Sequence, residues 1–472
     1  MKIIVSLLSA LCVLSACALV PKDSAPEPAT STVEQIEPSA SNALVTIESQ
    51  WWRSAHDTQL DQLMTLALAN SPSLDVAAAR LMAARSLSQA EQSKLIPQLS
   101  GGAQILEEKL SQNYYFAQGM DQYNGYGLLD LSLSWSLDIW GKQKKYFAAT
   151  SQRAKAAAIN VAAARHLLTS SIAKVYVDLD RATRLESLMD KEVRLKTSLY
   201  QIAADQQRQG LIDILIVNQK KTELDIARTN LNQATLSVSL YKHQLAALVK
   251  QGPSWGDKLV APHADWASLE LPETIPANLL ARRPDLQVLL EQIEASKLDL
   301  QGASLEYLPD INLQGLIGYQ AFGLPLLLTS NSFTYNVGPA ISLPIFDGGR
   351  IRANITGKEA ARNEMIANYE NQLTQALREA ADGIRSIQTA QRDKLHARQA
   401  LNASNRNVEI GRTRRQAGLL AVDKLYELEL SQAQQDRQII EVNARSDAAK
   451  IILIQALGGS FLQEQTPAAN PQ

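Results

Sequence analysis

The chain has 472 residues, with 46 Lys and Arg against 48 Asp and Glu and a formal net charge of -2. At roughly 150 residues per domain this length allows about three domains or one large repeated body, and the near-neutral charge gives no reason to expect nucleic acid as a partner. Its 46% hydrophobic and 20% charged residues can bury a large core, while the two cysteines, Cys12 and Cys17, lie at the N-terminus and none of the five histidines is within five residues of another. Disulfides, Cys-zinc sites and cysteine nucleophiles are therefore excluded from the body.

Lys2 precedes an apolar run from Ile3 to Leu14 and then Ser15-Ala16-Cys17. A positive start, a short apolar stretch and small residues before a cut site predict a secretory signal over 1–16 rather than a membrane helix. The ending Leu14-Ser15-Ala16-Cys17 resembles the bacterial lipobox, in which the Cys is acylated and becomes the mature N-terminus; an ordinary cut near Ala16 is the alternative. In lipoproteins of that kind Asp after the Cys often means inner-membrane retention, so Ala18 points to the outer membrane. Residues 17–50, with Pro21, Pro26, Pro28 and Pro38 among Ser, Thr and Ala, read as a flexible tether.

The first repeat is expected over 51–250. Helices over 58–69 and 73–96 follow from their Leu, Ala, Gln and Glu content, with Asp57 and Ser71 or Ser73 as caps. Pro97 ends the second, and the hydrophobic period then changes. A weaker strand is expected over about 98–112 and a loop over 113–123. In the strand over about 126–140, Leu129, Leu131, Leu133, Trp135, Leu137 and Ile139 alternate with Asp130, Ser132, Ser134, Ser136 and Asp138. Strict alternation is the strand period, and a membrane-crossing strand needs about 9–11 residues. Tyr114-Tyr115-Phe116, Tyr123 and Tyr126 suit an interfacial aromatic belt; a half-buried soluble sandwich would permit the same alternation. From Lys142 the chain reads as helix for over 60 residues, about 100 Å, with a seam through Leu168, Ile172, Val175, Leu179 and Ala182. Gly210 turns the chain back into a second helix, so 142–250 is a helical hairpin with coiled-coil spacing.

A linker is expected over 251–280, after which the plan is written again over 281–460. Pro284, Leu286 and Val288 match Pro72, Leu74 and Val76 at an offset of 212. Strands over about 310–322 and 333–346 match the first pair, with Phe333, Tyr335, Val337, Ile341 and Ile345 on one face. Arg350 and Gly418 match Lys142 and Gly210 at an offset of 208, giving a second hairpin over 350–457 and a tail over 461–472.

No stretch after the signal is long and apolar enough for a membrane helix, so any crossing is made by strands. An open sheet edge in lipid leaves backbone groups unpaired, and four strands are too few for a barrel, since bacterial barrels start at about eight. Strands that cross a bilayer here must be shared among several chains.

The duplicated plan, the junction Leu131-Ser132-Leu133-Ser134-Trp135-Ser136-Leu137-Asp138-Ile139-Trp140-Gly141-Lys142, the Arg283-Pro284-Asp285-Leu286 run and the Gly210 and Gly418 tips together resemble the TolC family of outer-membrane efflux channels; the lipobox is similar to the lipoprotein branch that serves RND-type pumps. The resemblance covers about 400 residues. It implies a mainly α fold with membrane β: a homotrimer whose chains share a twelve-stranded outer-membrane β-barrel and a periplasmic α-barrel of coiled-coil hairpins, with an equatorial belt formed around 40–70, 250–280 and the tail. It also implies an exit duct, not an enzyme, lipid-anchored in the bacterial outer membrane and extending into the periplasm. The partners implied are a periplasmic membrane-fusion adaptor, an inner-membrane RND-type pump and outer-membrane lipid, with no cofactor beyond the covalent lipid on Cys17 and no metal. Asp130, Ser132, Ser134 and Ser136 would line the lumen. Asp205, Asp213, Arg414, Arg415, Asp423 and Glu427 are candidates for the closed aperture, although a solvated helix face accounts for each singly, and Asp213 suits a helix cap. Relatives often carry Asp where this chain has Ile216. The tips Gly210-Leu211-Ile212 and Gly418-Leu419-Leu420 would dock the adaptor or simply close the hairpins. A hydrolase with paired carboxylates finds no supporting motif, and a structural coiled-coil lipoprotein leaves the duplicated strands unexplained.

Overall fold

The computed structural model describes residues 50–109, 111, 113, 123–269 and 283–458. The signal, Cys17, the tether, the Tyr114-Tyr115-Phe116 cluster and the tail over 461–472 lie outside the described residues. In chain order the elements are α1 (Thr58–Asn70), α2 (Pro72–Ser93), β1 (Gln98–Lys109), β2 (Tyr123–Ser136), α3 (Lys142–Arg208), α4 (Ile214–Leu248), α5 (Pro284–Ser304), β3 (Asp310–Phe322), β4 (Phe333–Ser342), α6 (Arg350–Gln416) and α7 (Val422–Ala456). The duplication is literal in the hairpins: α3 and α6 both have 67 residues, and α4 and α7 both have 35.

Among the described residues the chain divides into two compact units. One comprises residues 80–157 and 288–370 and holds the sheet, a four-stranded antiparallel array in the order β1-β2-β3-β4. Its ladders end earlier than the alternation of the sequence: β1 stops at Lys109, β2 at Ser136 and β4 at Ser342. Leu137, Ile139, Leu343 and Ile345 therefore leave the strands, and Asp138 is not a strand residue. Its backbone is left-handed, with φ 43°, and its carboxylate accepts the amides of Gln143 at 2.8 Å and Lys144 at 2.9 Å, capping α3. Asp347 does the same for α6 through the amides of Gly349 and Ile351, which hold its carboxyl below the usual carboxylate range. Helix nucleation at a carboxylate ends each strand, because free amides at a helix start need an acceptor.

Acidic residues from α5 to the start of β3 tie down the beginnings of both long helices. Asp299 meets Arg153 at 2.5 Å and Lys358 at 3.7 Å; Glu306 accepts from Tyr146 at 2.9 Å and Asn354 at 3.0 Å. Burial, then the Glu306 bond, pushes the Tyr146 hydroxyl well above its ordinary pKa. Lys142 reaches Asp310 at 2.6 Å. At the offset of 212 the first repeat has Leu87, Lys94 and Gln98 at the corresponding positions, so this acidic face belongs to one half only.

The other unit comprises, among the described residues, 50–79, 158–269, 283–287 and 371–458. Its core gathers Trp51, Trp52, Leu60, Leu63 and Met64 with Ile172, Tyr176, Leu179, Leu245, Trp266, Ile451 and Ile454. Asp57 organises the polar edge of that core: it caps α1 through the amides of Gln59 and Leu60 and also accepts the Tyr176 hydroxyl at 2.8 Å and the His263 amide at 2.9 Å. A buried carboxylate with four donors is satisfied rather than stranded. The linker expected over 251–280 thus contributes ordered contacts, Trp266 among them. Arg283 is buried between Asp285 at 2.8 Å and Glu379 at 2.8 Å and donates to the Ala456 carbonyl. Burial opposes the charge on Asp285, but Arg283 and Gln372 outweigh it and hold that carboxyl below its ordinary pKa. Gly458 turns against the backbone of Arg283 and the Pro284 ring with φ 79°; a Cβ there would lie 2.9 Å from the Arg283 Cα. The Arg283-Pro284-Asp285 run is thus a clasp between the start of α5 and the base of the second hairpin.

Candidate functional site

The pairing register decides what each face of the sheet carries. Leu99, Gly101 and Ala103 stand opposite Leu133, Leu131 and Leu129; Leu129, Leu131 and Trp135 stand opposite Tyr319, Ile317 and Leu313; Tyr319, Ile317 and Ile311 stand opposite Phe333, Tyr335 and Ile341. Directly paired residues share a face, so from Leu99 to Ile105 on β1 and across to Ile341 this face contains no charged, amide or Ser/Thr side chain, and its charged residues, Glu107 and Lys109, lie at the far end of β1. Tyr335, Val337 and Ile341 are 71%, 69% and 69% exposed on it. An uncovered apolar surface of this extent belongs against another apolar phase.

The opposite face gathers Gln98, Ser100, Asp130, Ser132, Ser134, Asn312, Gln314, Thr334 and Asn336 through the same registers. The hydroxyls of Ser100 and Ser132 are 2.8 Å apart. Asp130 has Gly102 on one side and Gly318 on the other, and neither position takes a larger residue without displacement: a Cβ on Gly102 would lie 2.8 Å from the Asp130 carboxylate, and one on Gly318 would lie 2.1 Å from the Leu129 carbonyl. Alternation picks out Asp130 in the sequence; the two glycines that make room for it become meaningful only through the register. Among the described residues β1 pairs only with β2 and β4 only with β3, leaving one edge of each without a strand partner.

The two hairpin tips have the same backbone. The amide of Leu211 bonds to the Gln206 carbonyl and that of Gly210 to the Gln207 carbonyl; Leu419 to Arg414 and Gly418 to Arg415 repeat the pattern. These paired bonds close a helix C-terminus around a left-handed residue, and Gly210 and Gly418 have φ 73° and 74°. Leu211 and Leu419 stand exposed beside them at 67% and 76%; Ile212 and Leu420 complete the turns.

Among the described residues the aperture candidates that form bonds form local ones, and none of them pairs with another. Asp205 pairs with Arg208 on its own helix. Asp213 is the cap of α4, accepting the Leu215 amide at 2.8 Å. Glu427 pairs with Lys424 at 2.8 Å, and Arg415 donates to the Leu420 carbonyl at 3.4 Å. Among the described residues Arg414 and Asp423 make no side-chain hydrogen bond or ion pair. Across the second hairpin Arg412 meets Glu429 at 2.8 Å, a link that nothing in the local sequence announced. No described helix is long and apolar enough to cross a membrane, and no group of three metal-ligating side chains occurs among the described residues.

A sheet with one largely apolar and one polar face, joined to two long helical hairpins of equal plan, defines an outer-membrane channel protomer of the TolC type. The chain belongs to the outer membrane efflux protein family, whose model matches residues 63–249 and 275–459. The multidrug resistance outer membrane protein MdtQ of Escherichia coli O6:H1 is 28% identical over 428 residues, 88% of each chain. The outer membrane protein VceC of Vibrio cholerae superposes with a TM-score of 0.79 at 31% identity, covering 88% of this chain and all of that one. The CmeC outer membrane channel of Campylobacter jejuni superposes with a TM-score of 0.83 over 95% of this chain at 23% identity, a likeness of fold. This protein is an efflux channel of the outer membrane, in a family of channels rather than enzymes.

Proposed function

We propose that this chain is the exit duct of a tripartite pump. Three copies complete a twelve-stranded barrel, Cys17 carries the lipid anchor, and the hairpin tips around Leu211, Ile212, Leu419 and Leu420 meet a periplasmic adaptor that couples the duct to an inner-membrane RND-type pump. Drugs or similar small solutes would pass down their gradient through the lumen past Asp130, Ser132, Ser134 and Ser136. The observation that carries this reading is the four-stranded sheet with one apolar face and two open edges, since an open edge in hydrocarbon costs several kcal/mol per unpaired group and neighbouring copies supply the missing partners. Near the second tip, Asp423 and Arg414 are the charged groups available to a neighbouring chain, which suits them to a closed aperture better than Asp213 or Asp205.

Purified protein incorporated into planar bilayers tests this directly. Cation-dependent conductance from a trimeric species, raised in an Asp423→Ala variant, is the expected result; a monomer that leaves the bilayer silent overturns the reading. Metabolic labelling with palmitate, lost in Cys17→Ala, tests the anchor.

A further inference from the structure

The loop that joins β3 to β4 lies at the end of the sheet away from the starts of α3 and α6. It reads Gly323-Leu324-Pro325-Leu326-Leu327-Leu328 and then Thr329-Ser330-Asn331-Ser332, with no charged residue. Leu324, Leu326 and Leu328 are 44%, 56% and 73% exposed. Connecting loops are ordinarily polar, and a run of exposed apolar residues in one calls for a function.

The structure folds this loop onto one face of the sheet. Gly125 and Gly127 continue the alternation of Leu129 and Leu131 and so belong to the apolar face. They leave a space that the loop fills: a Cβ on Gly127 would lie 2.8 Å from Leu327 Cδ2, and one on Gly125 would lie 3.4 Å from Leu324 Cγ. The Gly323 amide holds the lean by donating to the Gly125 carbonyl at 2.6 Å. The loop therefore covers part of β2, on the side opposite Asp130 and Ser132 and away from the open edge of β4. Across from the same two glycines stand Ile105 and Glu107 on β1, so the loop rests where the apolar face gives way to charge. Tyr319 and Phe333, with ring centres 5.8 Å apart on that face, add the aromatic pair suited to a bilayer boundary.

Its backbone also suits an apolar medium. The amides of Leu326 and Leu327 bond to the Gly323 and Leu324 carbonyls at 3.0 and 3.2 Å, and Pro325 has no amide. The Leu326 carbonyl accepts the Thr329 amide at 3.1 Å, the Thr329 hydroxyl at 2.7 Å and the Ser332 hydroxyl at 2.8 Å. Backbone groups beside hydrocarbon have to be paired internally, and those flanking Leu326 are.

We propose that Leu326 and Leu328 insert among the acyl chains at the headgroup boundary of the outer leaflet, so that this loop is a lipid-held rim of the exit and not a lid across it. The occupant is lipid because the loop extends the apolar face of the sheet and turns from the edge at which a neighbouring copy would pair. This inference rests on the hairpins being periplasmic, which places the loop at the outer surface.

Both natural cysteines lie at the N-terminus, and the unsubstituted protein sets the labelling background. Full-length Leu326→Cys and Leu328→Cys, each labelled with a small fluorophore, are reconstituted into phosphatidylcholine vesicles containing lipid with a doxyl quencher near the headgroup or near the chain end. Iodide reads access from water. Asn331→Cys, at the polar end of the loop, and Val337→Cys, within the apolar face, are the references. Quenching of both loop labels by doxyl lipid, stronger from the shallow quencher than from the deep one, with less iodide quenching than at Asn331→Cys, is the expected result. Iodide quenching without doxyl quenching overturns the proposal. Insensitivity to both quenchers also overturns it, since protein would then cover the loop. In either case doxyl quenching at Val337→Cys leaves the sheet in lipid, whereas its absence there removes the membrane reading as well.

Discussion

The two halves of the chain share backbone and differ in what their side chains do. Helices α3 and α6 have 67 residues each, and both hairpins turn on a glycine with nearly the same φ. Yet the first hairpin starts its returning helix on the Asp213 carboxylate, while the second starts on Ala421 with no side-chain cap. Arg283, clasped by two carboxylates, occupies the position held by Ser71 in the first half, where the hydroxyl merely meets that of Ser73. Length, glycine placement and strand alternation preserve a backbone; polar contacts drift without disturbing it, because one unsatisfied cap costs far less than a misplaced turn.

That contrast breaks most visibly at Arg283. Removing it leaves Asp285 and Glu379 without their cation and the Ala456 carbonyl without this donor. Arg283→Ala is expected to lower the urea midpoint of detergent-solubilised protein strongly, whereas Ser71→Ala in the other half shifts it little. Equal shifts would show that the halves use this junction alike. On the sheet the halves should agree instead. Leu133→Arg and Val337→Arg, on the apolar face, are each expected to cost about 2–4 kcal/mol in membrane-embedded stability. Ser134→Arg and Asn336→Arg on the other face are expected to be tolerated, and the heat-resistance of the oligomer on gels reads the difference.

A third contrast is between Asp447 and its first-half counterpart Ser239. Burial pushes the Asp447 carboxyl up to about 6, so ionised Asp447 destabilises the fold. Its favourable contribution is complete below the unfolded value of 3.8 and is lost as pH rises through about 6. Asp447→Asn is therefore expected to raise the thermal midpoint at pH 8, by the equivalent of about 1–2 kcal/mol, with the advantage shrinking at pH 5; Ser239→Asn should show no such pH dependence. The smallest effect lies at the tips. Asp213→Ala should cost about 1 kcal/mol, and Ala421→Asp should return a similar amount to the second hairpin, both measurable as shifts in chemical denaturation midpoint.

Much of the fold was legible from the chain itself. The alternation from Leu129 to Trp135 against Asp130 to Ser136 reads as a strand because side chains on a pleated backbone repeat every two residues. Gly210 and Gly418 read as turns because a left-handed residue without a Cβ is the favoured helix terminator. Where the strands stop was not legible. Asp138 continues the alternation in sequence, but its carboxylate serves the amides of Gln143 and Lys144, and that depends on a backbone turn which no periodicity records. Asp213 stood equally for an aperture or a cap until its bond to the Leu215 amide was in view.

By itself, then, the sequence determined the repeat, the strand and helix periods, the turning points and the segregation of polar from apolar residues, all of which follow from local backbone geometry. The tertiary structure alone decided the ion clasp from Arg283 to Glu379, the meeting of Asp57 with Tyr176 and His263, and the notch of Gly102 and Gly318 around Asp130. Those contacts join residues tens to hundreds of positions apart. Their strength depends on burial and register, and neither exists until the chain has folded.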